Sequence, residues 1–192
     1  QIDVNCFQHL PHLESFNKNE GQNLQPQGYM YVLPLGAYST KISSLAELKK
    51  GATVAIPSDT TNGARALLLL QKEGLITLKD PENLFATARD IADNPQKLKF
   101  LELEAATIPR VLSDVDLAVI NTNYALDADL NPKRDSLFME AADSPYANLC
   151  ASREDNKDSA AIKKLNQVWQ SAETVKFIED KYQGTVIPVK AP

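Results

Sequence analysis

TVAIPSDTTNGARALLLLQKEG, Thr53–Gly74, is the stretch on which the reading of the fold turns. Thr53–Pro57 is a short apolar run with β-branched residues and reads as a buried strand. The polar segment Ser58–Gly63 reads as a turn, and Ala64–Glu73 as a helix that Gly74 closes in the left-handed position. Strand, turn and helix in that order make the repeating unit of an α/β fold, in which ligands collect beyond the carboxyl ends of strands and near helix N-termini.

The same alternation extends outward. Tyr29–Leu35 is a β-rich run. Ser43 and Ser44 are expected to cap a short helix over Leu45–Lys50, ended by Gly51. Lys97–Glu104 is extended, a short helix lies around Pro109–Leu112, and Val115–Asn121 and Tyr146–Ser152 are further strands. Asp158 or Ser159 caps a long helix with Ile162, Leu165, Val168 and Trp169 on one face. Ser171 restarts a second helix carrying Val175, Phe177 and Ile178, before Gly184 and a final run, Thr185–Val189. The pattern predicts an α/β fold with a mostly parallel sheet. No internal repeat or interdomain linker is visible, so two lobes would have to be joined by compact hinges.

Composition sets the outer bounds. The chain has 192 residues, 43% of them hydrophobic, enough for a sizeable core. Lys and Arg number 20 against 25 Asp and Glu, a formal charge of −5. That balance argues against a nucleic-acid partner, which requires a cationic face. Apolar runs such as Ala66–Leu70 and Leu117–Ile120 are far shorter than the ~20 residues of a membrane span. The chain opens at Gln1 without a start methionine or signal segment and is read as mature, processed or partial. No CxxC, HExxH or Cys/His cluster points to a metal or cofactor. Cys6 and Cys150 read first as buried free thiols; in an oxidising compartment they pair if the fold brings them together.

Two segments carry the chemistry expected of a site. In Ser58–Arg65, backbone amides at the helix start can face an anion. Arg65 in the first turn opposes the helix macrodipole, at up to about 1 kcal/mol, which suggests a bidentate grip on a carboxylate. The plainer reading is a surface pair with a nearby Asp. Asn121, after Val115–Ile120, can accept from an ammonium and donate to a carboxylate, or simply cap a helix. Asn148 sits uneasily in a strand and needs partners if buried. Phe7, Gln8, His9 and His12 form an aromatic and imidazole group near the start. Asp114 with Asp116, and Glu102 with Glu104, read as solvated pairs. One cation, neutral amides and aromatics without a nucleophile suit the binding of a small zwitterion, and no catalytic residue is assigned.

Five segments then carry a resemblance: FQHLPHL (7–13), VLPLGAYSTKISSLAELKKG (32–51), PSDTTNGARALLLLQKEGLI (57–76), DVDLAVINTNYA (114–125) and SPYANLCASRED (144–155). They are similar, collinearly from Ile2 onward, to the NlpA/MetQ lipoproteins, the substrate-binding proteins of bacterial methionine ABC importers. The resemblance implies a periplasmic-binding-protein fold, two α/β lobes with a ligand cleft between them. Residues 1–38 and 139–192 would make lobe one and residues 39–138 lobe two, with hinges near Pro34–Tyr38 and Met139–Ser144. It implies that Phe7 and His9 line the pocket and that Arg65 takes the ligand carboxylate. Asn121 and Asn148 would hold its amino and carboxylate groups, with Tyr146 and, more weakly, Tyr38 beside them.

The implied ligand is methionine, the L form ahead of its D isomer or a close analogue, whose thioether gains ~0.3–1.5 kcal/mol against aromatic rings. The implied partners are an importer permease and, through an N-terminal lipid anchor outside this chain, the periplasmic side of a bacterial envelope membrane. No cofactor, enzymatic activity or nucleic acid is implied. The family's chain begins earlier, with a lipidated cysteine, a tether and a first βαβ portion, so lobe one is expected to lack its N-terminal part. The alternatives are a surface lipoprotein with an adhesion role and a binding-fold enzyme, for which His9 is the sole candidate acid or base.

Overall fold

A computed structural model describes residues 2–141 and 145–189. In chain order the first elements are β1 (Val4–His9), α1 (Leu10–Glu20), β2 (Gln25–Val32), β3 (Gly36–Tyr38), β4 (Thr53–Pro57) and α2 (Thr60–Lys72). There follow β5 (Thr77–Leu78), β6 (Ile91–Asp93), β7 (Lys99–Leu103), β8 (Leu117–Ile120), α3 (Thr122–Asp127), α4 (Pro132–Asp135) and β9 (Ser136–Met139). The last are β10 (Asn148–Ser152), α5 (Ala160–Trp169), α6 (Ala172–Tyr182) and β11 (Ile187–Pro188). The chain divides into two compact units, 1–33 with 141–192, and 34–140.

The 34–140 unit is built on a five-stranded sheet in the order β7-β4-β8-β3-β9. Period-two alternation assigns its strands to two cores. Val54, Ile56, Leu117 and Val119 face a layer that holds α2 through Ala64, Leu67 and Leu70. Ala55, Ala118 and Ile120 face the opposite layer, with Tyr38, Ile108, Leu112 and Ala125. Because both faces are covered, β8 is buried along its whole length. β4 runs parallel to β7 and β8, whereas β3 is antiparallel to β8 and β9.

The other unit carries a four-stranded sheet, β1-β10-β2-β11, whose pairs are all antiparallel. Leu13 of α1 packs on Leu149 and Ala151 with Leu10, Leu24 and Tyr29 around them. α5 is hooked onto β2 by side chains: Gly28 N donates to Asn166 Oδ1 at 3.2 Å, and Gln170 Nε2 donates to the Tyr29 carbonyl. A Cβ on Gly28 would lie 3.1 Å from Asn166, so the glycine permits the close approach.

Several expectations are corrected. The sheets are mixed or antiparallel rather than mostly parallel, because strand direction depends on where distant segments pair, which local pattern does not encode. Ser58–Gly63 is not simply a turn: Asp59 is an N-cap whose carboxylate accepts from Asn62 N at 3.0 Å, so α2 starts at Thr60. Arg65 is therefore in the second turn, and the first-turn macrodipole argument lapses. Leu45–Lys50 is only a 3-10 turn over Leu45–Glu47; the Ser43 and Ser44 hydroxyls donate to the Glu47 carboxylate, and the chain then extends to bury Leu48. The segment around Pro109 is a 3-10 helix, Ala105–Val111. Val168 and Phe177 lie outward, 53% and 56% exposed, instead of joining Ile162 and Ile178 in the core.

β3 pairs with β8 and β9, so residues 34–38 and 139–140 belong to the 34–140 unit, a few residues beyond the division expected at 38/39 and 138/139. Part of the second expected hinge, residues 142–144, lies outside the described residues. The cysteines are not free: Cys6 and Cys150 are opposite one another on β1 and β10, with Cα atoms 3.9 Å apart, and form a disulfide. Register across 144 residues of sequence brings them together, which no spacing rule shows.

Candidate functional site

In the 34–140 unit the polar groups gather where the adjacent parallel strands β4 and β8 end. Asp59, just beyond β4, caps α2 and also accepts from Asn62 Nδ2, which lies 3.1 Å from each carboxylate oxygen. That fixes the Asn62 amide, whose Oδ1 accepts from Asn121 Nδ2 at 2.9 Å. Asn121 occupies the N-cap position of α3, yet its side chain makes no cap bond. Its Oδ1 is buried and has no hydrogen-bond partner among the described residues. The helix-cap reading of Asn121 thus accounts for its backbone position and leaves its side chain unexplained.

Asn62 and Arg65 are three residues apart on α2 and share a face of the helix. Gly63 lets that helix sit close to β4, since a Cβ there would come within 2.8 Å of the Pro57 carbonyl oxygen. Arg65 is 3% exposed and pairs side-on with Glu140: Nε donates to Oε1 at 2.7 Å and a terminal NH2 to Oε2 at 2.5 Å. Glu140 Oε2 also accepts from Leu35 N at 2.9 Å, which anchors the carboxylate to the backbone entering β3. The expected surface pair with an Asp is replaced by a buried pair with a Glu. Its geometry holds the guanidinium plane still, which is what bidentate carboxylate recognition needs.

Tyr38 is 1% exposed, and its hydroxyl lacks a partner among the described residues. Burial, and then the charge of Asp135, push its phenol pKa well up, so it stays a neutral donor. The hydroxyl lies over Gly36, where a Cβ would clash at 2.8 Å.

In the other unit, His9 ends β1 and caps α1, its Nδ1 accepting from His12 N at 3.2 Å. The His9 ring meets Tyr146 edge-on at 5.0 Å and His12 at 5.9 Å. His9 and Tyr146 are buried. Asn148 Nδ2 donates to the Phe7 carbonyl at 2.6 Å, so the partner that a buried strand Asn requires is the backbone of β1. Tyr31, whose pKa burial raises, is also hydrogen-bonded to Asn148. Phe7 itself is 56% exposed and reaches the imidazoles only through His12, at 5.7 Å. Its ring lines a cavity of about 260 Å³ with Ile2, Leu13, Phe16 and Leu24.

The structure therefore gathers His9, Tyr146 and Asn148 in one unit and Arg65 and Asn121 in the other, while Phe7 stands at the edge of its group. Sequence reading passed over Asn62, Glu140 and the role of Gln8. The TTNG run could have flagged Asn62 as a cap neighbour; Glu140 has no local signal, because its partner is 75 residues away. The acidic pair Asp114 and Asp116 is not merely solvated: Asp116 Oδ2 accepts from Thr53 N at 2.8 Å and joins β8 to β4. Among the described residues no group of His, Cys, Asp and Glu could hold a metal ion, and no helix is long and apolar enough to cross a membrane.

An α/β scaffold with a rigidly held guanidinium, an unpaired buried amide acceptor and an aromatic–imidazole group has the features of a small-molecule-binding protein. The chain belongs to the NlpA lipoprotein family, whose sequence pattern matches residues 1–190. It is 48% identical over 188 residues to the D-methionine-binding lipoprotein MetQ of Salmonella typhi, covering 97% of this chain and 69% of that one. It is similar to a solved ABC transporter periplasmic substrate-binding protein from Coxiella burnetii, with a TM-score of 0.94, 47% identity, and 98% and 79% of the two chains covered. A nutrient-binding protein from Burkholderia cenocepacia bound to methionine matches with a TM-score of 0.94 and 48% identity, covering 97% of this chain and 79% of that one.

Proposed function

We propose that this chain binds methionine, without chemically altering it, and hands it to the permease of a bacterial ABC importer. The observation that carries this reading is the likeness, at 48% identity, to a nutrient-binding protein solved with methionine bound. The side chains support it. Arg65, oriented by Glu140, takes the ligand carboxylate, and Asn121 Oδ1, already desolvated and without a partner among the described residues, accepts from the ammonium. Asn148 supplies a further amide, and His9, Tyr146 and Phe7 offer rings to the thioether. With both cysteines oxidised, neither is available as a nucleophile, which favours a receptor over a binding-fold enzyme. The full-length protein works on the periplasmic side of the cell envelope, held to a membrane by a lipidated N-terminal cysteine.

The test is to denature the purified chain, identify the released small molecule by mass spectrometry, and titrate the refolded protein with L-methionine, D-methionine and a panel of other amino acids. Mass action predicts about 2.7 kcal/mol of stabilisation at a ligand concentration of about 100 Kd. Saturable binding of L-methionine, tighter than of any other amino acid, is the expected result. Absence of methionine from the extract together with no thermal shift for either isomer overturns the reading; a stronger shift with D-methionine overturns its stereochemical part.

A further inference from the structure

We propose that the Cys6–Cys150 disulfide is a positioning device for the ligand-facing residues of β1 and β10, so that methionine affinity depends on its oxidation state. The inference rests on the methionine-binding reading above and extends it to a pair of residues given no role there. Its basis is the register of the two strands. Cys6 is opposite Cys150 and His9 is opposite Asn148, so three steps along β1 match two along β10. One extra residue is accommodated on β1, a bulge directly after the disulfide.

A bulge breaks the ladder locally, and buried side chains replace the lost bonds. Gln8, 6% exposed, donates from Nε2 to the Leu149 carbonyl at 2.9 Å. Asn148 Nδ2 donates to the Phe7 carbonyl at 2.6 Å. The residues on either side of these bonds, Phe7, His9 and Asn148, are three of the proposed ligand contacts. Bulges re-aim side chains in this way next to sites.

The direction of the ligand-facing side chains depends on this register. Among the described residues β1 pairs with β10, whose register sets which way its side chains face. A one-residue shift against β10 would carry each β1 side chain to the opposite face and move His9 from its place opposite Asn148. The disulfide fixes one end of the bulge covalently, and His9 at the cap fixes the other. Upstream, Arg153 holds the Ile2 carbonyl at 2.5 Å, but that contact precedes the disulfide and does not constrain Phe7–His9. Cys150 is fully buried and Cys6 partly exposed, so a reductant thiolate attacks at Cys6. A dithiol then transfers two electrons and two protons: the Sγ–Sγ bond breaks, both cysteines become thiols, and the dithiol closes to its own disulfide.

The experiment compares oxidised protein, protein in dithiothreitol, and the Cys6→Ala/Cys150→Val variant by calorimetric titration with L-methionine. Backbone hydrogen exchange and helical circular dichroism are followed alongside. The expected result is at least tenfold weaker binding in the reduced protein and in the variant, restored in the wild type by oxidised glutathione. Exchange should rise at Phe7–His9 while β4 and α2 stay protected. Equal affinity in all three states, or loss of helical signal across the molecule on reduction and in the variant, overturns the positioning role and leaves the methionine reading standing. If the oxidised protein binds no methionine, both fall, and that outcome is distinct from the first two.

Discussion

Replacing one partner of the Arg65–Glu140 pair should cost more stability than replacing both. The side chains are 3% and 11% exposed, and the carboxylate takes two guanidinium bonds and the Leu35 amide. Glu140→Leu leaves a desolvated cation beside an orphaned N–H, a change that costs about 3–5 kcal/mol for pairs buried to this degree. Arg65→Met, which keeps the volume of the stem, leaves the converse charge and should cost a similar amount. In Arg65→Met/Glu140→Leu neither of these two charges is left without the other. What persists is the unpaired Leu35 amide, worth about 1–3 kcal/mol.

For a chain of this length about 2–4 °C of Tm corresponds to each kcal/mol. Each single variant should thus melt roughly 10 °C lower, and the double variant should recover much of that loss. Urea unfolding followed by circular dichroism measures the three free energies, and the double-mutant cycle isolates the coupling. The methionine-induced Tm shift should vanish in all three proteins, including the double variant, whose fold is intact. A double variant destabilised by as much as the two singles together would refute the argument that the pair stands or falls as a unit. A normal methionine shift in Arg65→Met would remove Arg65 from the ligand.

Asn121→Ala deletes an acceptor with no partner among the described residues together with the Nδ2 bond to Asn62, so stability should fall by about 1 kcal/mol while methionine affinity, read by titration calorimetry, drops at least tenfold. Gly63→Ala, which in a free helix would stabilise by roughly 1 kcal/mol, should destabilise here by about 1–3 kcal/mol because its Cβ meets the Pro57 carbonyl oxygen at 2.8 Å; chemical denaturation gives the sign. Asp90 has its pKa lowered by the Thr87 amide and hydroxyl, and Asp135 by Arg134 and the Asn131 amide. Each carboxyl therefore titrates lower folded than unfolded, and its contribution is present above the ordinary aspartate value of 3.8 and lost as pH falls below it. Tm measured from pH 6 to pH 2 should fall less steeply in Asp90→Asn/Asp135→Asn than in the wild type.

Local patterning determined much of this molecule. The strand Thr53–Pro57 has the bounds its composition predicts, Ser159 and Ser171 cap their helices, and Gly51 and Gly74 take positive φ, because each depends on neighbours within a few residues. Asn121 and Asn148 at element ends, and Arg65 within the helix after Thr53–Pro57, also stood out, since a cation or an amide set among apolar residues is conspicuous. Their partners were not. Glu140, Asn62, the Cys6–Cys150 bond and the bulge at Phe7–His9 arise from pairing between segments up to 144 residues apart, and a hydrogen bond depends on distance in space rather than along the chain. Sequence therefore determined which charged and amide side chains stand among the apolar runs. Only the tertiary structure decided which of them are held rigid, and by what, because register and strand direction are set by the packing of the whole sheet.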